Sequence, residues 1–437
     1  MSSNLEAVLT GSPYISYTYA YPHKTAYRAI KPVPLEQVWI NEPRAAFLYI
    51  HVPFCEMRCG FCNLFTTVNP DTSLETGFLR ALERQAKVVR DALANKSVTR
   101  AALGGGTPTF LVPSELERVL KILEMFNVSN QTPLSVETSP QTATVDRLEL
   151  LSDFGIDRIS IGVQSFFESE ARAVGRSQHS SEVFTALERI KAQDFPTLNI
   201  DLIYGLPNQT RASWLESLKT ALQFAPQELF LYPLYVRPLT GLGKLEQSWD
   251  DTRLELYRVA RDFLLQSGYE QHSMRVFRRS DAPSREAGIA FDAQADGLIG
   301  LGVGARSYTQ NLHYSSEYAV GQVGVKEIIA DYALRSTTDF AFASHGFYLD
   351  GLEQRRRFIL QDIFNVVGFS RSAYQQRFSS DAVDDFPILT GLQGLGLIAI
   401  SREQIYLTKS GLERSDAIGH LFYSSQVQQL AEEYQWR

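Results

Sequence analysis

The sequence predicts an α/β fold, a partial parallel (β/α)6 barrel followed by a small C-terminal helical domain of winged-helix-like shape. Three observations predict it. Short β-branched or apolar runs alternate with amphipathic stretches long enough for crossover helices between parallel strands. Runs such as 198–204 are almost continuously apolar, which is typical of a sheet covered by helices. Polar residues and glycines follow these runs, at the carboxyl ends of the predicted strands. Parallel barrels carry their functional side chains at that end. A doubly wound open sheet is the competing architecture.

The predicted barrel occupies residues 44–240, and its elements follow one another in strand–helix order. The predicted strands are 46–52, 97–103, 134–138, 158–163, 198–204 and 229–235. The predicted helices between them are 72–95, 113–127, 141–153, 180–193 and 210–224. Six such units are enough for a barrel or a three-quarter barrel.

Two further segments flank the predicted barrel. Residues 1–43 are rich in tyrosine and proline, including Tyr17 and Tyr19. They are interpreted as an arm that packs aromatic rings on the main body, covers the active site, or does both. Residues 241–340 contain a glycine-dense stretch at 297–304 and are interpreted as an extension of the barrel on the substrate side.

Residues 341–437 are predicted to form the separate helical domain. Helical periodicity runs over 352–364, and Phe369-Ser-Arg-Ser372 is a capping pattern before another helix. The stretch 392–406 is expected to be a helix end, a turn and a short strand, which favours a winged-helix-like shape. This segment has no basic stripe, so nucleic-acid binding is not expected.

Composition indicates a soluble globular protein of 437 residues, 44% hydrophobic and 21% charged. The net charge of -7 gives no general attraction to nucleic acid or to anionic membranes. No apolar run approaches 18 residues, and the N-terminus lacks the pattern of a signal peptide. Three cysteines in one cluster argue against a secreted disulfide framework, so a cytoplasmic location is expected.

All three cysteines lie in one motif, His51-Val-Pro-Phe-Cys55-Glu-Met-Arg-Cys59-Gly-Phe-Cys62, directly after the first predicted strand. A structural zinc site takes four protein ligands, and most iron–sulfur clusters are held by four thiolates. Three thiolates at C-x₃-C-x₂-C spacing therefore indicate a four-iron cluster with one iron open to a ligand or substrate. A zinc site with His51 as the fourth ligand is the alternative.

With Phe61 before the last cysteine, this motif resembles that of the radical S-adenosylmethionine (SAM) enzymes. Tyr49-Ile-His-Val-Pro-Phe-Cys55 resembles one branch, the oxygen-independent coproporphyrinogen III oxidase-like (HemN/HemW-like) proteins. The resemblance is good over residues 44–240 and implies a [4Fe–4S] cluster on Cys55, Cys59 and Cys62 whose open iron binds SAM. It also implies reductive cleavage of SAM to a 5′-deoxyadenosyl radical that abstracts hydrogen from a small-molecule substrate. The electron would come from a low-potential donor such as flavodoxin or ferredoxin.

The resemblance also implies which residues bind SAM. Backbone groups of the glycine-rich end of the second strand would bind its aminoacyl part, and Glu137 would accept a bond from its ammonium group. Asp201 lies in an apolar strand and needs a partner, either the ribose hydroxyls of SAM or a lysine or arginine. The complete set of expected SAM-binding residues is Tyr49, Phe61, Gly105, Gly106, Thr107, Glu137, Gln164, Arg176, Asp201 and Tyr235.

Two departures from the family pattern bear on the substrate. Arg237-Pro-Leu-Thr240 stands where many relatives have Glu-Pro-Gly-Thr, and Phe291–Asp296 stands where heme-trafficking members carry His-Asn-x-x-Tyr-Trp. If the family substrate applies, the hydrogen comes from a coproporphyrinogen propionate, and loss of carbon dioxide leaves a vinyl group. Radical methylation, heme ring cleavage, cyclopropane formation and a heme-binding chaperone that retains the cluster are alternatives.

Candidate contacts for these alternatives are arginines and histidines. Arginine suits bidentate recognition of carboxylates, and histidine is a possible axial ligand of heme. The candidate arginines are Arg237, Arg275, Arg278, Arg279 and Arg306. The candidate histidines are His51, His272 and His313.

Overall fold

The structure is a computed structural model that describes residues 2–15, 18, 20–42, 46–94, 96–244, 251–282 and 297–436. Tyr17 and Tyr19 of the predicted arm, and the stretch Phe291–Asp296, lie outside the described residues.

Strands are numbered β1 to β18 in chain order. Those of the first half are β1 Arg28–Pro34, β2 Phe47–Val52, β3 Phe54–Cys55, β4 Thr67–Val68, β5 Arg100–Gly105, β6 Leu134–Thr138, β7 Arg158–Gln164, β8 Thr197–Tyr204 and β9 Glu228–Pro233. Those of the second half are β10 Tyr269–Gln271, β11 Val276–Arg279, β12 Leu298–Leu301, β13 Arg306–Tyr308, β14 Leu312–Ser315, β15 Phe342–Tyr348, β16 Phe369–Ser370, β17 Ile398–Ile400 and β18 Gln404–Leu407.

Helices are numbered in the same way. The first nine are α1 Ser2–Thr10, α2 Leu35–Trp39, α3 Thr72–Ala92, α4 Pro113–Glu124, α5 Val145–Phe154, α6 Glu168–Ala173, α7 Ser180–Ala192, α8 Arg211–Leu222 and α9 Arg253–Gln266. The others are α10 Gln322–Leu334, α11 Thr337–Phe340, α12 Gly351–Asp362, α13 Arg371–Phe378, α14 Ala382–Asp385, α15 Ile388–Gly394, α16 Lys409–Leu412, α17 Ser415–His420 and α18 Ser425–Glu432. Short 3₁₀ helices lie at Lys24–Ala26, Pro108–Phe110 and Leu242–Lys244.

Six parallel strands form the centre of the large sheet, in the order β2-β5-β6-β7-β8-β9. These are the six strands expected from the sequence, and α3, α4, α5, α7 and α8 are the expected crossover helices. The strand order never reverses, so right-handed crossovers put the helices on one face. A doubly wound sheet would instead reverse its order at a switch point. The barrel-type expectation is therefore confirmed, and the doubly wound alternative is excluded.

Residues outside the predicted barrel extend this sheet at both edges. Strands β11 and β10 add antiparallel beyond β9. At the other edge β12 pairs parallel with β2, and β13, β14, β15 and β1 follow antiparallel. The predicted arm thus supplies the outermost strand. The predicted boundary at residue 341 falls just before β15, which belongs to the large sheet and not to the helical domain.

The barrel strands have an apolar face towards the helices and a more polar face towards the inside of the barrel. In β7, Ile159, Ile161 and Val163 are fully buried in the main core beneath the helices. The alternate residues Arg158 and Ser160 point to the inner face, because successive side chains of a strand face opposite sides. The inner face therefore carries the polar residues from which a site can be built.

The C-terminal domain has its own apolar core, which includes Ile359, Tyr374 and Ile405. Helices α12 to α18 surround a three-stranded antiparallel sheet in the order β16-β18-β17. The expected cap is present, since the hydroxyl of Ser370 accepts a hydrogen bond from the Ala373 N–H at the start of α13. Within the part of the chain that the structure describes, no helix has the length and apolar character needed to cross a membrane.

Candidate active site

The cysteine motif forms a loop at the carboxyl end of β2, the rim predicted from the sequence. Cys59 is buried, and Cys55 and Cys62 are half-buried. Each sulfur lies within hydrogen-bonding distance of one polar side chain, from within the loop for Cys62 and from later segments of the chain for Cys55 and Cys59. The contacts are Thr107 Oγ1 to Cys55 Sγ at 3.7 Å, Arg176 Nη1 to Cys59 Sγ at 3.2 Å, and Thr66 Oγ1 to Cys62 Sγ at 3.9 Å.

Gly60 anchors the middle of this loop. Its N–H donates to the Val174 carbonyl at 2.7 Å, and its carbonyl accepts from the Leu242 N–H at 2.8 Å. A Cβ atom at Gly60 would lie only 2.8 Å from the Val174 oxygen. The segments after β7 and β9 therefore hold the loop from two sides, and glycine is needed for the close approach.

The thiols of Cys55 and Cys62 are held in their neutral form. Burial raises the pKa of Cys55, and the neighbouring Cys62 adds to the effect. Burial likewise raises the pKa of Cys62, with Cys59 contributing. Because metals bind the thiolate, loading of the site releases protons.

His51 has both ring nitrogens engaged within the protein. Its Nε2 lies 2.8 Å from the Phe65 carbonyl, which can only accept, so Nε2 carries the proton. Its Nδ1 lies 3.3 Å from the Tyr49 hydroxyl. Burial lowers the pKa of His51 to about 4, so the ring is neutral. The zinc alternative, with His51 as the fourth ligand, is not supported by this geometry.

The arrangement of the possible metal-binding side chains is also unlike that of a site for a single metal ion. Across the residues for which the structure gives positions, no three Cys, His, Asp or Glu side chains converge on one metal position. A four-iron cluster does not require such convergence, because its thiolates bind different iron atoms. The donor set therefore fits a cluster held by three cysteines.

The glycine-rich end of β5 lies beside the loop. Gly105 has a φ of +112°, which favours glycine. The N–H groups of Gly106 and Thr107 donate to the carbonyls of Val52 and Phe54 at 2.7 and 2.8 Å. The Gly105 N–H is also engaged, as described next. The three N–H groups of this strand end are therefore engaged within the protein.

Glu137, in β6, contacts this glycine run directly. Its Oε2 accepts from the Gly105 N–H at 3.1 Å, and a Cβ atom at Gly104 would lie 2.8 Å from the carboxylate. Burial, then the charge of Asp201, raises the pKa of Glu137 to about 7. Its side chain is nevertheless solvent-exposed, so the carboxylate lines an open space inside the barrel although protein surrounds it.

Asp201 is held by neutral groups. Its carboxylate accepts from Asn199 Nδ2 at 2.7 Å and from Ser160 Oγ at 3.3 Å. Burial raises the pKa of Asp201 to about 6, against the opposing charge of Arg158. Arg158 itself is paired with Glu228 at 2.8 Å. The ion-pair alternative for Asp201 is therefore not realised among the described contacts, and a ribose contact stays a prediction.

A row of polar side chains on the inner face supports the Asp201 carboxylate, and the sequence reasoning missed it. Its members lie on four adjacent strands and are linked by hydrogen bonds among themselves or with Asp201. They are Ser135, Arg158, Ser160, Asn199 and Glu228. The available signal was polar–apolar alternation within strands, as in Arg158-Ile-Ser160-Ile-Gly162.

Gln164 and Arg176 meet at Gly162. Gln164 has a φ of +68° at an irregularity of β7, and a Cβ atom at Gly162 would lie 2.8 Å from its Nε2. Arg176 is buried and donates to the Gly162 carbonyl at 2.6 Å, to Gln178 Oε1 at 2.6 Å and to the Cys59 sulfur. Both residues are therefore at the rim, but the guanidinium of Arg176 is directed at a cysteine.

The aromatic candidates have three different environments. Tyr49 lies against His51, and Phe61 packs on an apolar cluster that includes Val174. The Tyr235 hydroxyl is hydrogen-bonded to Asp416. Tyr235 thus takes part in the contact between barrel and C-terminal domain, and its predicted role in SAM binding stays a prediction.

The candidate arginines and histidines also differ in environment. Arg275 pairs with Asp416 at 2.7 Å, and Arg279 pairs with Asp281. The Arg237 guanidinium lies 5.1 Å from the ring centre of Tyr235. Arg278 and Arg306 are half-buried, His272 is exposed, and His313 is buried.

Comparison with known proteins identifies the family to which this chain is similar. A family model described as the radical SAM superfamily matches residues 49–221. The chain is 30% identical over 331 residues to an oxygen-independent coproporphyrinogen III oxidase of Escherichia coli (strain K12), covering 69% of this chain and 72% of that protein. It is 26% identical over 385 residues to the heme chaperone HemW of Bacillus subtilis (strain 168), covering 83% and 95%.

Among solved structures, coproporphyrinogen III oxidase (HemN) from Escherichia coli superimposes with a TM-score of 0.79 at 24% sequence identity. The superposition covers 98% of this chain and 99% of that chain. This similarity confirms the predicted α/β fold of the barrel, while the winged-helix-like shape of the C-terminal domain stays a prediction.

Proposed function

This chain belongs to the radical SAM superfamily, in the branch of the oxygen-independent coproporphyrinogen III oxidases and the heme chaperone HemW, and we propose that it cleaves SAM reductively to remove hydrogen from a carboxylated small molecule. Its cofactors are a [4Fe–4S] cluster and SAM. Cys55, Cys59 and Cys62 would hold the cluster.

One observation carries the proposal: the cysteine loop continues by direct contacts into a site for a cation. Thr107 donates to the Cys55 sulfur, and Gly105, two residues earlier, donates to Glu137. The Glu137 carboxylate suits the ammonium group of SAM, because charge-assisted hydrogen bonds are among the strongest. Asp201 lies close enough on the same inner face to raise the pKa of Glu137 and would accept from the ribose hydroxyls.

The cluster and SAM together supply a carbon-centred radical when both are bound and an electron has been added. The protein has to orient SAM and exclude water around the radical. Glu137, Asp201 and the β5 strand end orient SAM. Gln164 and Tyr49 are further members of the predicted binding set, which also includes Phe61, Arg176 and Tyr235. A low-potential donor such as flavodoxin or ferredoxin would deliver the electron.

Positive charge near the cysteine loop supports a carboxylated substrate. Burial, then the charges of Lys24, Arg306 and Arg237, lowers the pKa of His23 well below its usual range. Lys24 and Arg306 act in the same direction on His51. Arginine binds carboxylates with good geometry, so Arg237 and Arg306 are the better placed of the five candidates. A porphyrinogen with propionate side chains is the first substrate to test.

The test is an anaerobic assay with purified protein reconstituted with iron and sulfide. SAM and dithionite are added, and 5′-deoxyadenosine is measured by chromatography with and without coproporphyrinogen III. Formation of 5′-deoxyadenosine by the loaded protein, but not by a Cys55→Ala variant, is expected. An intact four-iron cluster that leaves SAM unchanged with every porphyrinogen and heme tested would contradict the proposed activity.

A heme-binding chaperone is the second candidate, because the relatives include the heme chaperone HemW. The histidines give it limited support: His51 has both nitrogens engaged, His313 is buried, and His272 is exposed. A spectroscopic heme titration separates the two functions. Stoichiometric binding with a defined Soret shift, in a protein that does not cleave SAM, would favour the chaperone.

A further inference from the structure

Arg176 is the cation in direct contact with a sulfur of the cysteine motif. Its Nη1 donates to Cys59 Sγ at 3.2 Å. The other two nitrogens of the guanidinium are also held, because Nη2 donates to the Gly162 carbonyl and Nε donates to Gln178 Oε1, each at 2.6 Å. Gln178 is held in turn by the carbonyls of Val163 and Ser165 at 2.8 and 3.0 Å. The guanidinium is therefore locked in one orientation by protein groups.

The surroundings of this contact make it electrostatically strong. Arg176 and Cys59 are 7% and 9% exposed, so solvent screens their interaction poorly. The same chain segment contacts the loop a second time, because the Val174 carbonyl accepts from the Gly60 N–H at 2.7 Å. The distance between guanidinium and sulfur is thus set by two independent attachments.

We propose that Arg176 is a positioning residue that raises the reduction potential of the cluster by hydrogen-bonding the Cys59 sulfur. This inference rests on the proposed function only in requiring a cluster on the three cysteines. Hydrogen bonds to ligand sulfurs, net charge and solvent exposure set iron–sulfur potentials. Reduction adds one electron from an external reductant, with no bond made or broken. A buried guanidinium stabilises the added negative charge, so the reduced state becomes easier to reach.

The role differs from the SAM contact that the sequence resemblance assigns to Arg176. A residue that acts on the cluster changes the potential before SAM is added. A residue that acts only on SAM changes SAM affinity and leaves the potential of the SAM-free protein unchanged. The two roles therefore give different results in one pair of measurements.

The experiment is a redox titration of the reconstituted protein without SAM, followed by electron paramagnetic resonance. Arg176→Met removes both the charge and the donor and is expected to move the midpoint potential to more negative values. Arg176→Lys keeps the charge but loses the three-donor geometry and should move it in the same direction by less. Arg172→Met is the matched control, because Arg172 lies four residues earlier and its side chain is 73% exposed. The midpoint potential of the cluster in this variant should equal that of the wild type.

Iron and sulfide content are measured for each variant. If Arg176→Met does not assemble a cluster, the potential of Arg176→Lys decides the question. Assembled clusters with wild-type potential in the Arg176 variants would overturn the inference and leave the proposed function standing, as would reduced SAM affinity at unchanged potential. A wild-type protein that assembles no cluster would overturn the proposed function as well.

Discussion

Glu137 accepts a hydrogen bond of 3.1 Å from the backbone N–H of Gly105. This contact joins the carboxyl ends of two neighbouring parallel strands and places a carboxylate on the glycine run that follows the cysteine loop. Only glycine at position 104 leaves room for it, since a Cβ atom there would lie 2.8 Å from the carboxylate. The glycine run thus makes room for a side chain of the protein.

Replacing Glu137 by glutamine should weaken SAM binding and leave the cluster intact. The variant loses the charge but keeps the shape, so it loses one charge-assisted hydrogen bond to the ammonium group. Such bonds contribute about 1.5–3 kcal/mol, which corresponds to roughly 10- to 150-fold in Kd. Calorimetric titration of the reconstituted protein with SAM measures the change. Glu149→Gln, an exposed site in α5, is the control. Equal SAM affinity in Glu137→Gln and wild type would refute the role.

SAM affinity should also depend on pH, because the pKa of Glu137 is raised to about 7 by burial and by Asp201. The ammonium group needs the ionised carboxylate, whose fraction rises about tenfold between pH 6 and pH 8. The Kd of SAM should therefore fall by about that factor over this range in the wild type. The Glu137→Gln variant should show a flat profile. A wild-type profile as flat as that of the variant would be inconsistent with this prediction.

The same raised pKa has a consequence for stability in the absence of SAM. A carboxyl whose pKa rises from its usual 4.5 to about 7 on folding binds its proton more tightly in the folded state. Its contribution to stability is then present below about pH 4.5 and is lost as pH rises to about 7. The wild type should therefore lose more stability over this window than Glu137→Gln, as measured by urea unfolding of the cluster-free protein.

The sequence was sufficient to predict the central architecture for a physical reason. Each barrel strand is buried on the helix side, which imposes apolar residues at alternate positions, and each crossover helix buries one apolar face against the sheet, so both kinds of element leave a pattern in the sequence. The position of the candidate site could be predicted as well, because the carboxyl ends of parallel strands lie at the same edge of a sheet. Cys55 and Glu137, which follow or end different strands, both lie at that edge. The edge strands were not predicted, since β12, β13 and β14 have only 4, 3 and 4 residues, and β1 pairs with β15, which lies far from it in sequence.

The parts of the site that depend on three-dimensional contact were not predictable in the same way. Arg176 could be matched to a motif, yet its contact with the Cys59 sulfur depends on loop packing 117 residues away in sequence. The Tyr235 hydroxyl bonds to Asp416, which belongs to another domain. The partners of Asp201, Ser160 and Asn199, required knowledge of strand register. Local patterns therefore identified candidates but not their partners.

Cys59→Ala should abolish assembly of the four-iron cluster, because two thiolates cannot hold it. The measurement is iron and sulfide content after anaerobic reconstitution, together with visible absorption. Met57→Leu, a substitution of similar volume in the same loop, is the control and should assemble a normal cluster. A full complement of iron and sulfide in Cys59→Ala would show that the ligand assignment is wrong.

Gly60→Ala should destabilise the cysteine loop without removing a ligand. The added Cβ atom would lie 2.8 Å from the Val174 oxygen, so the loop has to move away from the segment that carries Arg176. We expect lower cluster occupancy and faster cluster loss on exposure to air or chelator. Gly394→Ala is the control, since nothing lies within 4 Å of a Cβ atom there. Identical cluster lifetimes in the two variants would contradict a tightly held loop.

Arg158→Met tests whether the polar row on the inner face holds the barrel together. Arg158 and Glu228 form an ion pair of 2.8 Å with side chains 10% and 9% exposed, and Arg158 also donates to Ser135 at 3.0 Å. Removing the guanidinium deprives a buried carboxylate of its counter-charge, which costs about 3–5 kcal/mol. Denaturant unfolding of the cluster-free protein measures this loss.

The double variant Arg158→Met/Glu228→Leu should recover part of the lost stability, because it removes the buried charge along with its partner. Lys121→Met is the surface control, since the Lys121–Glu117 pair is exposed and its loss should change the stability little. If Arg158→Met destabilises no more than Lys121→Met, the ion pair is not a structural element of the barrel. If the double variant is no more stable than Arg158→Met, the loss comes from packing and the Ser135 contact rather than from the uncompensated carboxylate.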